Sequence, residues 1–411
     1  MATLSGSKRR RLVFTSLALL LLLMASGLGG CSTLGYYQQA VSGQLRLLYA
    51  RRSVDKLLAD PDTDPKLATQ LRLAGDALVY AREELRLKVG KRYGSYTQLK
   101  GDFVVWNLVV AEPDSVEPRE WCFPVAGCVG YRGYFNEARA QRVAQQFQAK
   151  GYDVYVGGVA AYSTLGWFND PLLSSFIHWS RPALVQLLFH ELAHGELYVA
   201  DDTEFNESFA SFVAQKAIAS WLADDLEAGS ELRLERKRRL ELTRFNGLLI
   251  KLRNTLKEDF AGAASTQQAL ELRVQRYAEA RGCVDRWSKT LGTQTDMANR
   301  LNRYFAQPPN MARLALAAAY NRWIPAFEQL FVESQPAAEL DRSSLDWAAF
   351  YAAARALGEL EPEQRLTELQ RLSSAEAALQ EQVQADRDDE DPGEIRCEAL
   401  TNHSVDGDVA G

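Results

Sequence analysis

Histidine is scarce in this chain: four occur among 411 residues, alongside five cysteines and four methionines. Five cysteines are too few to staple a scaffold of this length, so stability must come from a hydrophobic core. An excess of basic residues is also missing. The net charge of −6 argues against a nucleic-acid partner, which would call for a cationic footprint. With 47% hydrophobic and 24% charged residues, the composition excludes a wholly disordered, collagen-like or multi-span membrane protein. After the first thirty or so residues no long apolar run recurs.

What is present begins at the N-terminus. Lys8, Arg9, Arg10 and Arg11 precede an apolar stretch from Leu12 to Met24, which is too short to span a membrane comfortably. It leads into Leu28-Gly29-Gly30-Cys31, which resembles a bacterial lipobox. Residues 1–30 therefore read as a lipoprotein signal peptide, and Cys31 as the lipidated residue that tethers the chain to a membrane. Ser32 stands where an aspartate would signal inner-membrane retention, so the expected location is the outer membrane, facing the periplasm. Cleavage would remove four positive charges and leave a mature chain near −10. In that oxidising compartment Cys122 and Cys128, separated by a segment with Pro124 and Gly127, are expected to form a local disulfide. Zinc binding by this pair is disfavoured by its spacing. Cys283 and Cys397 are expected to be free, or paired with each other.

Hydrophobic periodicity predicts helices from Tyr36 to about Leu87, broken near Pro61 and Pro65. Asp102–Ala111, Arg119–Phe135 and Tyr152–Thr164 read as strand and turn, with an amphipathic helix at Asn136–Lys150. Gly157 and Gly158 inside the last strand mark a bulge or a close backbone approach. From Arg181 to about Leu372 the pattern is helical, and Leu226–Asp259 reads as a long solvated helix or hairpin. Ten acidic residues against two basic ones from Glu381 onward predict a disordered tail. The expected organisation is a signal peptide (1–30), a body (31–373) and an acidic tail (374–411). Within the body, a helical arm spans 31–100, a sheet region 101–180 and a helical region 181–373. The fold class is α+β.

The most specific signal is His190-Glu191-Leu192-Ala193-His194, an H-E-x-x-H match. On a helix, residues four apart share a face, so both imidazoles can reach one metal ion. Glu191 is one step around the helix, where its carboxylate can take a proton from water on the metal. With so few histidines, the chance expectation of such a match is about 0.003. A third histidine six residues past His194 is excluded, because Ala200 stands there. Glu207 fits as the third ligand: Phe205, Phe209 and Phe212 form one stripe of its helix, and Glu207 projects roughly opposite. Glu204 is the alternative, with Glu196, Asp201 and Asp202 weaker. Two histidines and one carboxylate leave a fourth position open, as a catalytic zinc requires.

These motifs resemble those of the gluzincin metallopeptidases, where H-E-x-x-H is followed by a ligand helix like Asn206-Glu207-Ser208-Phe209-Ala210. More narrowly, the lipobox, the Cys122–Cys128 segment, Ala161–Gly166 and the H-E-L-A-H block together resemble those of a bacterial lipoprotein family named putative aminopeptidases. The resemblance implies one zinc ion, with His190, His194 and Glu207 as ligands and Glu191 as catalyst. It also implies a small mixed sheet whose edge strand lies beside the metal helix and binds peptide in extended form. Gly158, Val159, Ala160, Ala161 and Tyr162 are the candidate residues for that contact. That segment lacks the glutamate with which better-known zinc aminopeptidases hold the substrate amine; Asp170 or Glu204 could substitute. Tyr320 is the first candidate for donor to the developing oxyanion, with Tyr198 and His178 as rivals. His178, beside Trp179, also reads as structural, and His403 has no assigned role. The expected activity is zinc-dependent peptide hydrolysis in the cell envelope, aminopeptidase-like. The alternatives are an envelope scaffold with a structural metal site and a zinc amidase acting on cell-wall material.

Overall fold

A computed structural model describes residues 30–123, 127–161, 168–223, 229–291, 296–335 and 345–385. The expected signal peptide up to residue 29, Tyr162 and the tail from residue 386 lie outside the described residues. The chain divides into two compact units, Met1–Ala50 and Arg51–Gly411. In the first, helix α1 (Gly30–Tyr49) carries Cys31 on its first turn. Among the described residues no helix is long and apolar enough to cross a membrane.

The second unit opens with a surprise in the expected helical arm. β1 (Arg52–Ser53) precedes α2 (Val54–Ala59) and α3 (Pro65–Glu83), and β2 (Ser95–Thr97) follows them. β1 pairs antiparallel with β2, and β2 pairs parallel with β8 (Leu172–Leu173), giving a small mixed sheet. Strands this short leave no alternating pattern in sequence, because partners far along the chain supply the ladder. α3 starts as its sequence dictates: Asp64 accepts from the Leu67 N–H at 2.9 Å, and Pro65 occupies the first turn.

The larger antiparallel sheet has the order β6–β3–β7, built from β3 (Val105–Ala111), β6 (Arg132–Tyr134) and β7 (Asp153–Val159). A hairpin of β4 (Trp121–Phe123) and β5 (Gly127–Val129) is closed by the Cys122–Cys128 disulfide, as expected. Cys283 is disulfide-bonded, the second of its two expected states, and Cys397 lies outside the described residues. α4 (Glu137–Gln148), capped by the Asn136 side chain, packs on β3 and β7. The strand expected to reach Thr164 ends at Val159. Its register with β3 is unbroken from Val105↔Val159 to Ala111↔Asp153, so Gly157 and Gly158 mark no bulge. They admit aromatic rings instead: a Cβ on Gly158 would lie 2.3 Å from the Phe103 ring, and one on Gly157 would lie 2.7 Å from Tyr155.

The remainder is helical: α5 (Arg181–Ala193), α6 (Thr203–Ala223), α7 (Gly229–Gly262), α8 (Thr266–Leu291), α9 (Asp296–Phe305), α10 (Met311–Ala319), α11 (Ile324–Ser334), α12 (Trp347–Gly358) and α13 (Pro362–Ala385). α13 continues past residue 373, where the tail was expected to begin. α7 is one continuous helix, and it is only partly solvated: Phe245, Leu249, Leu252 and Leu256 join Val109, Ala111 and Val116 of the sheet region in a core shared with α8, α9 and α10. A second core is aromatic. Phe205, Phe209 and Phe212 of α6 pack against Phe327 and Phe331 of α11 and Phe350 and Tyr351 of α12. The predicted stripe is therefore buried, but so are Asn206, Glu207 and Ser208 beside it.

Candidate metal centre

α5 is held on two sides. Its apolar residues Leu184, Val185, Leu188, Phe189 and Leu192 are fully buried, and the helix lies against α3 and α6. Alanines 68, 74, 77 and 81 of α3 are buried, and such small side chains let neighbouring backbones approach closely. The last turn of α5 carries His190 and Glu191, and His194 caps the helix.

The ligand atoms converge as the motif predicts. His190 Nε2 and His194 Nε2 lie 3.2 Å apart, and Glu207 Oε2 from α6 is 3.3 Å from the first and 3.6 Å from the second. Ligands at about 2.0–2.1 Å from a tetrahedral zinc are separated by about 3.3–3.4 Å, so this triangle has the size such an ion needs. Glu207 Oε2 is buried and faces only the two imidazoles, so a cation held between them would meet its charge directly. The three residues form a group able to hold a metal ion.

The electrostatics agree. Burial pushes the Glu207 carboxyl up, but His194 and His190 outweigh it and hold its pKa at about 2. Burial pulls His194 down, yet Glu207 beside it leaves a net rise. Without a cation the Glu207 carboxylate favours a proton on His194, and a divalent ion can take the place of that proton. Glu191, 7% exposed, has its pKa raised by burial; His190 and His194 oppose the rise, and Glu207 and Asp170 add to it. A raised carboxylate pKa suits a general base working near neutrality.

The alternative ligands are occupied elsewhere. Glu204 pairs with Arg253 and Arg322, and Glu196 pairs with Lys88 and Arg355. Asp202 accepts from the Phe205 N–H and pairs with Arg365, while Asp201 accepts from the Cys128 N–H at 2.6 Å. Asp170 is buried, close enough to Glu191 and Tyr93 to act on both. The structure brings Tyr320 to the cluster. Its ring stacks on His190 with centroids 6.2 Å apart and planes 23° from parallel. Its pKa is raised well above the usual range, by the Glu207 charge first and burial second. Tyr198 also feels Glu207, after burial, so both tyrosines border the site. His178 is exposed and stands apart from the metal-ligand group.

Tyr320 also forms one wall of a cavity of about 230 Å³, with Val109, Leu316, Tyr131, Glu120 and Asp201 among its other walls. Of the expected peptide-contact residues, Gly158 and Val159 end β7, which is an edge strand. β7 packs on α4 and α10, whereas the main partners of α5 are α6 and α3. The Val159 carbonyl accepts from the Val104 N–H and the Ala160 carbonyl from the Ser175 hydroxyl, so those acceptors are already used. Ala161 follows outside the strand.

The match to known proteins comes from one family model, described as "Putative aminopeptidase", which covers residues 35–369. The chain belongs to this family. Membership agrees with the resemblance drawn from the motifs and points to peptidase activity. None of the curated proteins and none of the solved structures compared with the chain matches it. The site also has neighbours that no motif announced. Arg92, 7% exposed, donates to the Glu191 carbonyl at 3.5 Å, placing a cation at the C-terminal end of α5. Gly195 makes room for it, since a Cβ there would lie 2.3 Å from the guanidinium. Tyr93, in the left-handed region at φ 63°, is buried near Glu191. Their only sequence cue was a lone Arg-Tyr pair next to Gly94.

Proposed function

We propose that this chain is a gluzincin-type zinc peptidase that hydrolyses peptide bonds in the bacterial cell envelope. In this reading it is tethered by a lipidated Cys31 to the outer membrane, facing the periplasm. The observation that carries the catalytic part is the triangle of His190, His194 and Glu207, with Glu191 buried beside it. The donor set, two imidazoles and a carboxylate at zinc-compatible separations, fits one zinc ion. Zinc held there would polarise the scissile carbonyl and acidify water.

The chain's own residues would do the rest. Glu191 takes a proton from the attacking water and passes it to the leaving amine. The raised pKa of Tyr320 keeps its phenol protonated, so its hydroxyl can donate to the carbonyl oxygen as negative charge develops there. Substrate would lie beside the metal triangle with one side group in the cavity that Tyr320 walls.

Metal analysis of the purified protein should find close to one zinc per chain. Glu191→Gln should keep that zinc and lose hydrolysis of a peptide library containing free and blocked N-termini. Wild-type protein without zinc would sink the proposal. Cleavage confined to free N-termini would establish the aminopeptidase form despite the absence of a β7 glutamate.

A further inference from the structure

Tyr320 does not sit on a helix; it opens the turn between α10 and α11. A donor in a turn is useful only if the turn is held, and this one is held by the same helix that supplies the carboxylate ligand. The hydroxyl of Ser208, fully buried, donates to the Ala319 carbonyl at 3.4 Å and accepts from the Trp323 N–H at 3.1 Å. One side chain thus grips the backbone on both flanks of Tyr320. Four residues earlier on the same face of α6, Glu204 pairs with Arg322, two residues past Tyr320. Glu207 lies between them in sequence, next to Ser208.

Other bonds fix the turn from outside. The Asn246 side chain of α7 donates to Asn321 Oδ1 at 2.7 Å, and Asn321 donates back to the Ala317 carbonyl at 3.0 Å. The far end of α10 is tied to β7, since Asp153 accepts from the Met311 N–H at 2.7 Å and Asn310 donates to the Val154 carbonyl at 2.9 Å. Asn246 holds the turn from the α7 side, and Ser208 and Glu204 hold it from α6, the helix that carries Glu207.

We propose that Ser208 and Glu204 are positioning residues that set the Tyr320 hydroxyl relative to the metal ligands. The proposal rests on the reading of Tyr320 as the oxyanion donor. α6 then has one working face: Glu207 binds metal, while Ser208 and Glu204 hold the group that acts beside it. Registry between ligand and donor is built into a single rigid element, where a small displacement would otherwise weaken catalysis.

The test is a double-mutant cycle on metal-loaded full-length protein. The probe is whichever member of the free- and blocked-N-terminus peptide library the wild type cleaves fastest. Ser208→Ala should lower kcat by at least about tenfold, which is ~1.4 kcal/mol, and leave KM and zinc content unchanged. Tyr320→Phe should lower kcat further. The double variant Ser208→Ala/Tyr320→Phe should match Tyr320→Phe alone, a non-additivity that a general loss of stability would not produce. If Ser208→Ala does not fold, Glu204→Ala, at a partly exposed side chain, carries the same cycle. Additive losses, or loss of zinc with either variant, would overturn the proposal. A wild type that cleaves no library member overturns the peptidase reading instead, and this proposal falls with it.

Discussion

Replacing Glu207 by Gln removes the charge from the metal triangle while keeping its shape, and the effect on metal-free protein can be worked from the structure. The carboxyl pKa falls from 4.5 to about 2, driven against burial by His194 and His190 at 3.6 and 3.3 Å. At 1.36 kcal/mol per unit, that coupling stabilises the folded state by about 3 kcal/mol. Because the folded pKa is depressed, the stabilisation is fully present above pH 4.5. It is lost as pH falls through the window from 4.5 to about 2. The assay is urea unfolding of metal-free wild type and Glu207→Gln from pH 2 to pH 6. The wild type should be more stable by about 3 kcal/mol at pH 6, and the two should converge near pH 2. A gap that does not change with pH would refute the reasoning, since only a titrating pair produces convergence. With zinc restored, Glu207→Gln should bind the ion more weakly, and the stability gap should widen with zinc concentration.

Two further outcomes test the scaffold around the site. Gly158→Ala should destabilise by about 1–2 kcal/mol in thermal unfolding, because its Cβ would overlap the Phe103 ring; adding Phe103→Ala should remove most of that cost. Phe209→Ala should cost about 3–5 kcal/mol by the same measure. Its fully buried ring packs against Phe327, Phe350 and Tyr351, and the void would open in the core that backs α6.

Much of the site was legible because helical geometry is local. His190 and His194 share a face by their spacing alone, and the apolar flanks that bury them are visible in the same stretch. The aromatic stripe of α6 was legible for the same reason. Glu207 against Glu204 was a harder choice, as both lie early on one helix. The structure separates them through charges from distant elements: Arg253 of α7 and Arg322 of the α10–α11 turn claim Glu204 and leave Glu207 for the histidines. Arg92 and Tyr93 were invisible, because a loop residue that caps another element's helix leaves no periodic trace. The two-residue strands β1 and β8 were missed for a related reason. They exist only through partners far along the chain.

The sequence by itself determined that a helix would present two imidazoles and a glutamate together, inside an α+β body with a disulfide-closed hairpin. Spacing, turn residues and apolar periodicity act over a few residues, so they survive reading in one dimension. Only the tertiary structure decided which carboxylate completes the triangle, which tyrosine stacks on His190 and why two glycines sit inside β7. Each of those answers depends on competition among groups remote in sequence, for one cation, one buried position or one space beside a strand. Packing alone resolves that competition.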